Sequence, residues 1–276
     1  MALTKRQRAR VFRGVQYGIG LLIVVIFALT ANWANLKNAF FNVDVALSMF
    51  PRIITVGLYN TVIYTALGFS VGLVLGLVLA LMRLSTVRVY RGLAIAYIEF
   101  FRGLPALLVL IAVGYGVPLA FPGTIFDKYT ALAIGLGIVA SAYMAETFRA
   151  GIQAVPAGQV EAARSLGLSS GRTTSFVVIP QAFKIILPPL TNELIALTKD
   201  SSLALFLGST IAEQELTQMG RIALNTSKSL TPVVVAGFCY LIITLPLGYL
   251  SRYLERRTGG AKISTTPESI SVGGPA

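Results

Sequence analysis

Ionisable side chains are scarce in the apolar parts of this chain, so those that occur there are the first candidates for chemistry. Glu99 and Arg102 stand three residues apart, and Glu146 and Arg149 repeat the spacing. On a helix, residues three apart share a face, and opposite charges so placed can pair. Asn192, Glu193, Thr198, Lys199, Asp200, Ser201 and Ser202 crowd a third apolar run. A charge at membrane depth is expensive and marks a functional hypothesis by default. The chemistry open to these groups is binding and passage. His is absent, which removes imidazole acid–base and metal work. Cys239 is the single thiol, which removes an internal disulfide or a cysteine metal cage. It sits in an apolar run and reads as a small packing residue.

Each group has a bland reading beside the functional one. Glu99 and Arg102 can neutralise each other and fix the depth of their helix, or contribute to a polar wall. Pro105 kinks that span and frees a carbonyl, which makes an irregular polar wall possible. Glu146 and Arg149 read as anchors of the loop that follows them. The cluster from Asn192 to Ser202 cannot face lipid, because unpaired polar groups are costly there. It must face a partner subunit or a watery path.

The elements that position these residues are spans. The chain has 276 residues, 55% hydrophobic and 12% charged, against about 25% charged in soluble domains. The mean hydropathy is +0.76. A spanning helix needs about 20 apolar residues. Six candidates lie at roughly 15–34, 53–82, 93–120, 130–149, 185–210 and 231–251. The ridge Gly68, Gly72, Gly76 in the second reads as a packing seam. Trp33, Tyr59 and Tyr253 read as interfacial anchors.

Direction follows from the basic residues. Lys5, Arg6, Arg8, Arg10, Arg13, Arg83, Arg88, Arg91, Arg149, Arg164, Arg172, Lys184, Arg252, Arg256, Arg257 and Lys262 fall on one side. Lys37, Arg52, Lys128, Arg221 and Lys228 fall on the other. The positive-inside bias predicts cytoplasmic termini. The net charge of +12 flanks apolar segments instead of forming one patch, which argues against nucleic acid. The basic start and apolar run could be a secretory signal; without a convincing cleavage site, an uncleaved first helix is expected. The expected organisation is a basic N-terminus (1–14), a first span with an external loop (15–50), a membrane domain (51–252) and a tail (253–276). From Thr258 the tail is rich in Gly, Ser, Thr and Pro and is expected to be disordered.

Residues 150–184 then form a long cytoplasmic loop, and loops of this length usually carry structure or function. Pro156 and Gly158 are expected to break the preceding helix. Glu161 is expected in the first turn of a new one, where a carboxylate suits the positive end of the dipole. Ala162 and Ala163 favour helix without bulk. Gly167 sits where a left-handed cap belongs. Ser169 or Ser170 can cap a second short helix, which Pro180 ends or bends. A helix this short needs tertiary support. It is either a dock for a partner or an amphipathic connector on the membrane surface.

Glu161-Ala162-Ala163, three residues, Gly167, nine residues and Val177-Val178-Ile179-Pro180 resemble the EAA loop of ABC importer permeases. The family pattern ends Ile-x-Leu-Pro, where this chain has Val and Ile. GLYNTVIYTALGFSVGLVLGLVLALMR, EFFRGLPALLVL, AYMAETFRAGIQAVPAGQVEAARSLGLS and NELIALTKDSSL are similar to the polar amino acid uptake subfamily, over about residues 50–252.

The resemblance implies an all-α membrane protein with about six transmembrane helices. These would form a type I ABC importer permease core of five helices plus an extra N-terminal one. It implies a coupling helix at 150–184, with Glu161, Ala162, Ala163 and Gly167 docking into a cytoplasmic ATPase. It also implies an external amino acid-binding protein, a second permease subunit (identical or related) and residence in the bacterial inner membrane. ATP and Mg2+ would be used by the partner ATPase, and no cofactor is bound by this chain. It has no GxxxxGK[ST] loop and is expected not to be an enzyme. An amino acid carries an ammonium and a carboxylate, so a path lined by both signs would suit it. Glu99, Arg102, Asn192, Lys199, Asp200, Ser201 and Ser202 are the candidates. An ion-gradient-driven secondary transporter or channel is the alternative. It explains the membrane charges but not the small-faced helix.

Overall fold

A computed structural model describes residues 5–258. Among them the chain is helical, with no strand. Three helices come first: α1 (Lys5–Thr30), α2 (Trp33–Phe40) and α3 (Val43–Ser48). A π-helical turn, Ile53–Leu58, runs into α4 (Tyr59–Leu84), which is followed by α5 (Arg88–Gly103). Then come α6 (Ala106–Ile111), a π turn at Ala112–Gly116, α7 (Val117–Ala120), α8 (Lys128–Gln153), α9 (Ala157–Ser165) and α10 (Ser170–Thr173). A third π turn, Thr174–Val178, joins α10 to α11 (Ile179–Asp200), and two 3-10 turns, Ser201–Phe206 and Ile211–Glu213, follow. α12 (Leu216–Ser227) and α13 (Thr231–Arg257) complete the described chain. Of the tail expected to be disordered over 253–276, residues 253–257 are instead the last turns of α13, and the part beyond Thr258 lies outside the described residues.

Among the described residues, five helices are long and apolar enough to cross a membrane: Phe12–Thr30, Ile53–Leu84, Lys128–Gln153, Ser170–Phe206 and Thr231–Arg257. The third expected span, 93–120, is not one rod. Arg88–Gly103 and Ala106–Ala120 meet at 106°. The cause is local: a residue before proline is pushed out of helical geometry. Leu104 accordingly takes φ −98°, ψ 141°, and Pro105 follows at φ −60°, ψ 131°. The expected kink is therefore a sharp corner.

The 150–184 interval is also shorter as a loop than expected. α8 continues to Gln153, and the fifth crossing starts at Ser170. Pro180 neither ends nor breaks the helix. It occupies the first turn of α11, where its missing N–H is not needed, and the π turn before it takes up the shift.

The chain divides into two compact units. One holds residues up to Phe50 together with Gly220–Val235. In it, the described α1 side chains from Phe12 on stay unburied, as suits an apolar helix with lipid as its solvent. Trp33 donates its indole N–H to Ala28 O at 2.9 Å. Leu230 N donates to Ala39 O at 2.7 Å, and Asn42 N donates to Thr231 Oγ1 at 3.0 Å.

The other unit is Pro51–Met219 with the chain from Ala236 on. Its centre is the seam between α4 and α8. An added Cβ on Gly68 would meet Leu136 Cβ at 3.0 Å, and on Gly76 would meet Met144 Cβ at 2.9 Å. Residues eight apart on one helix thus face residues eight apart on the other, and α4 contributes no side chain to the contact. That is the close approach small residues allow in lipid, where no hydrophobic force drives helices together. The ridge expected from the sequence is this seam. Tyr64, Leu132, Leu136, Met144, Ile186 and Leu197 form the core around it.

Candidate functional site

α9 follows Pro156, whose fixed φ of −58° sets the chain for a helix start. Gly158 does not break a helix; it lies inside the first turn of α9. Glu161 therefore falls in the second turn, not the first, and the dipole argument for its position does not hold. The C-terminal end is closed as expected. Gly167 has φ +84°, its N–H donates to Arg164 O at 3.0 Å, and Leu168 N–H donates to Ala163 O at 3.2 Å. This is the paired bonding of a Schellman cap. Ser169 Oγ then accepts from Arg172 N at 3.4 Å and caps α10. Glu161, Ala162 and Gly167 are exposed. Ala163 is not: it is 6% exposed and turns inward against its own chain. The adjoining Leu166 is 84% exposed.

At the neighbouring end of α8, Glu146 accepts from Arg149 Nε at 3.1 Å and Nη2 at 2.8 Å. Its other oxygen accepts from Arg83 in the last turn of α4. Arg149 also donates to Gln153. The expected Glu146–Arg149 pair is thus one half of a triad that sequence spacing did not reveal, because Arg83 comes from a different helix.

The expected Glu99–Arg102 pair does not form. Both side chains are exposed, and the two ion pairs among the described residues belong to Glu146. Arg102 instead lies over the Tyr143 ring, 5.5 Å from its centroid. A guanidinium gains more over an aromatic face than beside a solvated carboxylate one turn away.

Behind Tyr143 is a cavity of about 350 Å³. It is lined by Pro105 at the corner, by Val139, Ala140 and Tyr143 of α8, and by Glu193 and Asp200 of α11. Residues seven apart share a helix face, so Glu193 and Asp200 open into one space. A volume of this order suits a small ligand.

The remaining polar residues of the cluster are not gathered there. Lys199 is exposed. Asn192 Oδ1 accepts from Ser251 Oγ at 2.9 Å. Ser201 Oγ donates to Thr198 O at 2.7 Å and is buried, and Ser202 is half-buried. Helical geometry separates them: 192 and 199 share one face, 193 and 200 the next.

A further polar group went unread in the sequence, at the opposite end of α4. Asn60 Nδ2 donates to Ala212 O at 2.7 Å and to Gln214 O at 2.9 Å. Tyr64 OH donates to Glu213 O at 2.7 Å, and Leu216 N donates to Thr61 Oγ1 at 3.3 Å. Tyr129 OH supports Asn60 Oδ1 at 3.0 Å. The last 3-10 turn and the residues leading from it into α12 are held by one helix face. Lys128, expected in an external loop, is 6% exposed and donates to Gln218 at 3.1 Å. Glu215 is fully buried and caps α12, accepting from Gln218 N at 2.6 Å, Thr217 N at 2.7 Å and Tyr240 OH at 2.8 Å. Burial pushes its carboxyl up and those bonds pull it back. Glu213, holding Thr210 N–H and its hydroxyl in a capping box, lies below the usual carboxylate range.

The sequence and the overall fold have counterparts among known proteins. A family model described as "Binding-protein-dependent transport system inner membrane component" matches residues 72–260. The chain belongs to this family. The permease is 35% identical over 201 residues to the probable glutamine ABC transporter permease protein GlnM of Bacillus subtilis (strain 168), spanning 73% of this chain and 91% of the relative. It is 36% identical to the arginine transport system permease protein ArtQ of the same organism, over 73% and 90%. Its fold is similar to the crystal structure of an amino acid ABC transporter with histidines, with a TM-score of 0.68 and 35% identity over 76% of this chain and 96% of that one. The inward-facing MetNI methionine ABC transporter, at 20% identity and a TM-score of 0.59, shares the fold. The permease is thus an all-α ABC importer permease of the amino acid type.

Proposed function

We propose that this permease is the membrane subunit of an ATP-driven importer of polar amino acids. An external binding protein delivers the substrate. Passage occurs by alternating access between this chain and a second permease subunit, identical or related. A cytoplasmic ATPase dimer uses ATP and Mg2+, and the chain sits in the inner membrane with both termini cytoplasmic.

The observation that carries the reading is α9. It is a nine-residue helix, fixed at its start by Pro156 and at its end by Gly167, with Glu161, Ala162 and Leu166 turned outward. A rigid helix with a low profile and one exposed carboxylate suits insertion into a groove of another protein. Glu161 and Ala162 make that contact, Gly167 closes the helix, and Ala163 holds it to the permease. Substrate would pass the cavity that holds Glu193 and Asp200, with Arg102 near its rim. Both signs of charge there suit a zwitterion.

The names of the relatives, glutamine and arginine permeases among them, support amino acids as the cargo. A secondary transporter or channel would leave α9 without a task. Reconstitution into proteoliposomes with and without the ATPase tests the reading. Labelled glutamine or arginine should enter only when ATPase, ATP and binding protein are all present. Entry without ATP overturns it.

A further inference from the structure

We infer that Arg83, Glu146 and Arg149 form a positioning triad that stiffens the end of α8 and ties it to α4, so that a push on α9 moves both spans together. The inference rests on the reading of α9 as a docking helix and adds the route by which its motion enters the membrane domain.

α8 ends at Gln153 and α9 begins at Ala157. Between them Val155 is buried, and Ile152 and Val160 pack on the same core. A displacement of α9 therefore arrives at the last turn of α8. The last turn is the weakest part of a helix, because its final carbonyls lack partners within the helix. A lever that frays at its loaded end transmits little.

Here the last turn is braced twice. Arg149 reaches forward to Gln153, four residues on, and back to Glu146, three residues before. Glu146 spends its other oxygen on Arg83. All three side chains are mostly shielded, with 19% of Glu146, 20% of Arg83 and 28% of Arg149 exposed.

The glycine seam and the triad do different things. At Gly76, Met144 Cβ and Ser141 O would lie 2.9 and 3.1 Å from an added Cβ. That closeness fixes the separation of α4 and α8. Smooth small residues offer little against sliding or rotation about the axis. Guanidinium–carboxylate bonds are directional and fix both. Next to the triad, Gly151 is packed against Ile186 of α11, with no room for a Cβ. Motion of the α8 end is therefore also felt by α11, which carries Glu193 and Asp200 to the cavity. Removing the carboxylate charge would leave two guanidiniums facing each other with no anion between them.

The test uses the assembled importer in proteoliposomes and reads amino acid imported per ATP hydrolysed, with labelled glutamine and arginine as probes. Glu146→Gln should assemble with the ATPase and hydrolyse ATP, yet lower import per ATP by about fivefold or more, the scale of a typical coupling energy. Arg83→Lys keeps the charge but loses the fork, and should fall between wild type and Glu146→Gln. If Glu146→Gln fails to assemble, Arg83→Lys and Arg149→Lys carry the test, each with a lowered ratio. A wild-type ratio in the variants overturns the inference. So does a parallel fall of hydrolysis and import that leaves the ratio unchanged, since that is what a packing defect alone would give. Wild-type import that needs no ATP sinks the docking reading itself and the inference with it.

Discussion

A methyl group placed on Gly72 would sit 2.9 Å from the Cβ of Ala140, closer than side-chain carbons rest in folded proteins. Gly72 and Ala140 are therefore complementary: one can grow only if the other shrinks. Gly72→Ala should lower the thermal unfolding temperature in detergent, at a cost of about 1–3 kcal/mol for overpacking. Ala140→Gly in the same chain should recover part of the loss. No recovery would mean that the strain is set elsewhere along the seam.

Glu161→Lys should reduce uptake by at least about tenfold, a loss of 1.4 kcal/mol or more of docking energy. Glu161 is exposed on α9, so membrane insertion and unfolding temperature should not change. Co-purification with the ATPase reads the dock directly and should fall with uptake. Normal uptake by this variant would remove Glu161 from the dock.

Asn60 is 1% exposed and serves three partners: Ala212 O, Gln214 O and Tyr129 OH. Asn60→Ala leaves those groups without their shared partner. A loss of about 1–3 kcal/mol per orphaned group is the expected scale, and unfolding in detergent should show it. Limited proteolysis should cut first between Leu207 and Glu215. A variant as stable and as resistant as wild type would show that water replaces the amide there.

Glu213 is held below its ordinary value of 4.5, chiefly by the Thr210 N–H and then by the Thr210 hydroxyl. A carboxyl lowered on folding contributes stability that is present above its unfolded value and is lost as pH falls through the folded one. Unfolding temperature should therefore drop as pH falls below about 4.5. Glu213→Gln should flatten that part of the profile by lowering the unfolding temperature at neutral pH toward its acid value, with the two profiles meeting at low pH. Superimposable profiles would assign the acid sensitivity to other carboxyls.

What was legible in the sequence was whatever depends on local runs and fixed spacing. The apolar stretches predicted the long helices, the Gly68–Gly72–Gly76 ridge predicted the seam, and Gly167 predicted a left-handed cap, found at φ +84°. The misses share a cause. Glu99 and Arg102 have the spacing of a pair, but Tyr143, 41 residues from Arg102, offers a better surface. Arg83 and Glu146 are 63 residues apart and carry no periodic signal. Lys128 and Glu215 lie outside every apolar run, so they read as loop residues although the fold buries both. Pro105 and Pro180 are the same residue type with opposite outcomes. One follows an extended Leu104 and turns the chain through a corner, while the other sits in a first turn where no donor is missed. Composition cannot separate these cases; the neighbouring backbone does.

Ala212, Glu213 and Gln214 present their carbonyls in sequence to Asn60 and Tyr64, two residues one turn apart on α4. Grips that close together on a single rod cannot be peeled off singly, since loosening any one loads the others at once. The strap and the rod therefore share one fate. If α4 tilts, as the proposed alternating access requires, this stretch rides along as cargo of the helix and does not swing by itself.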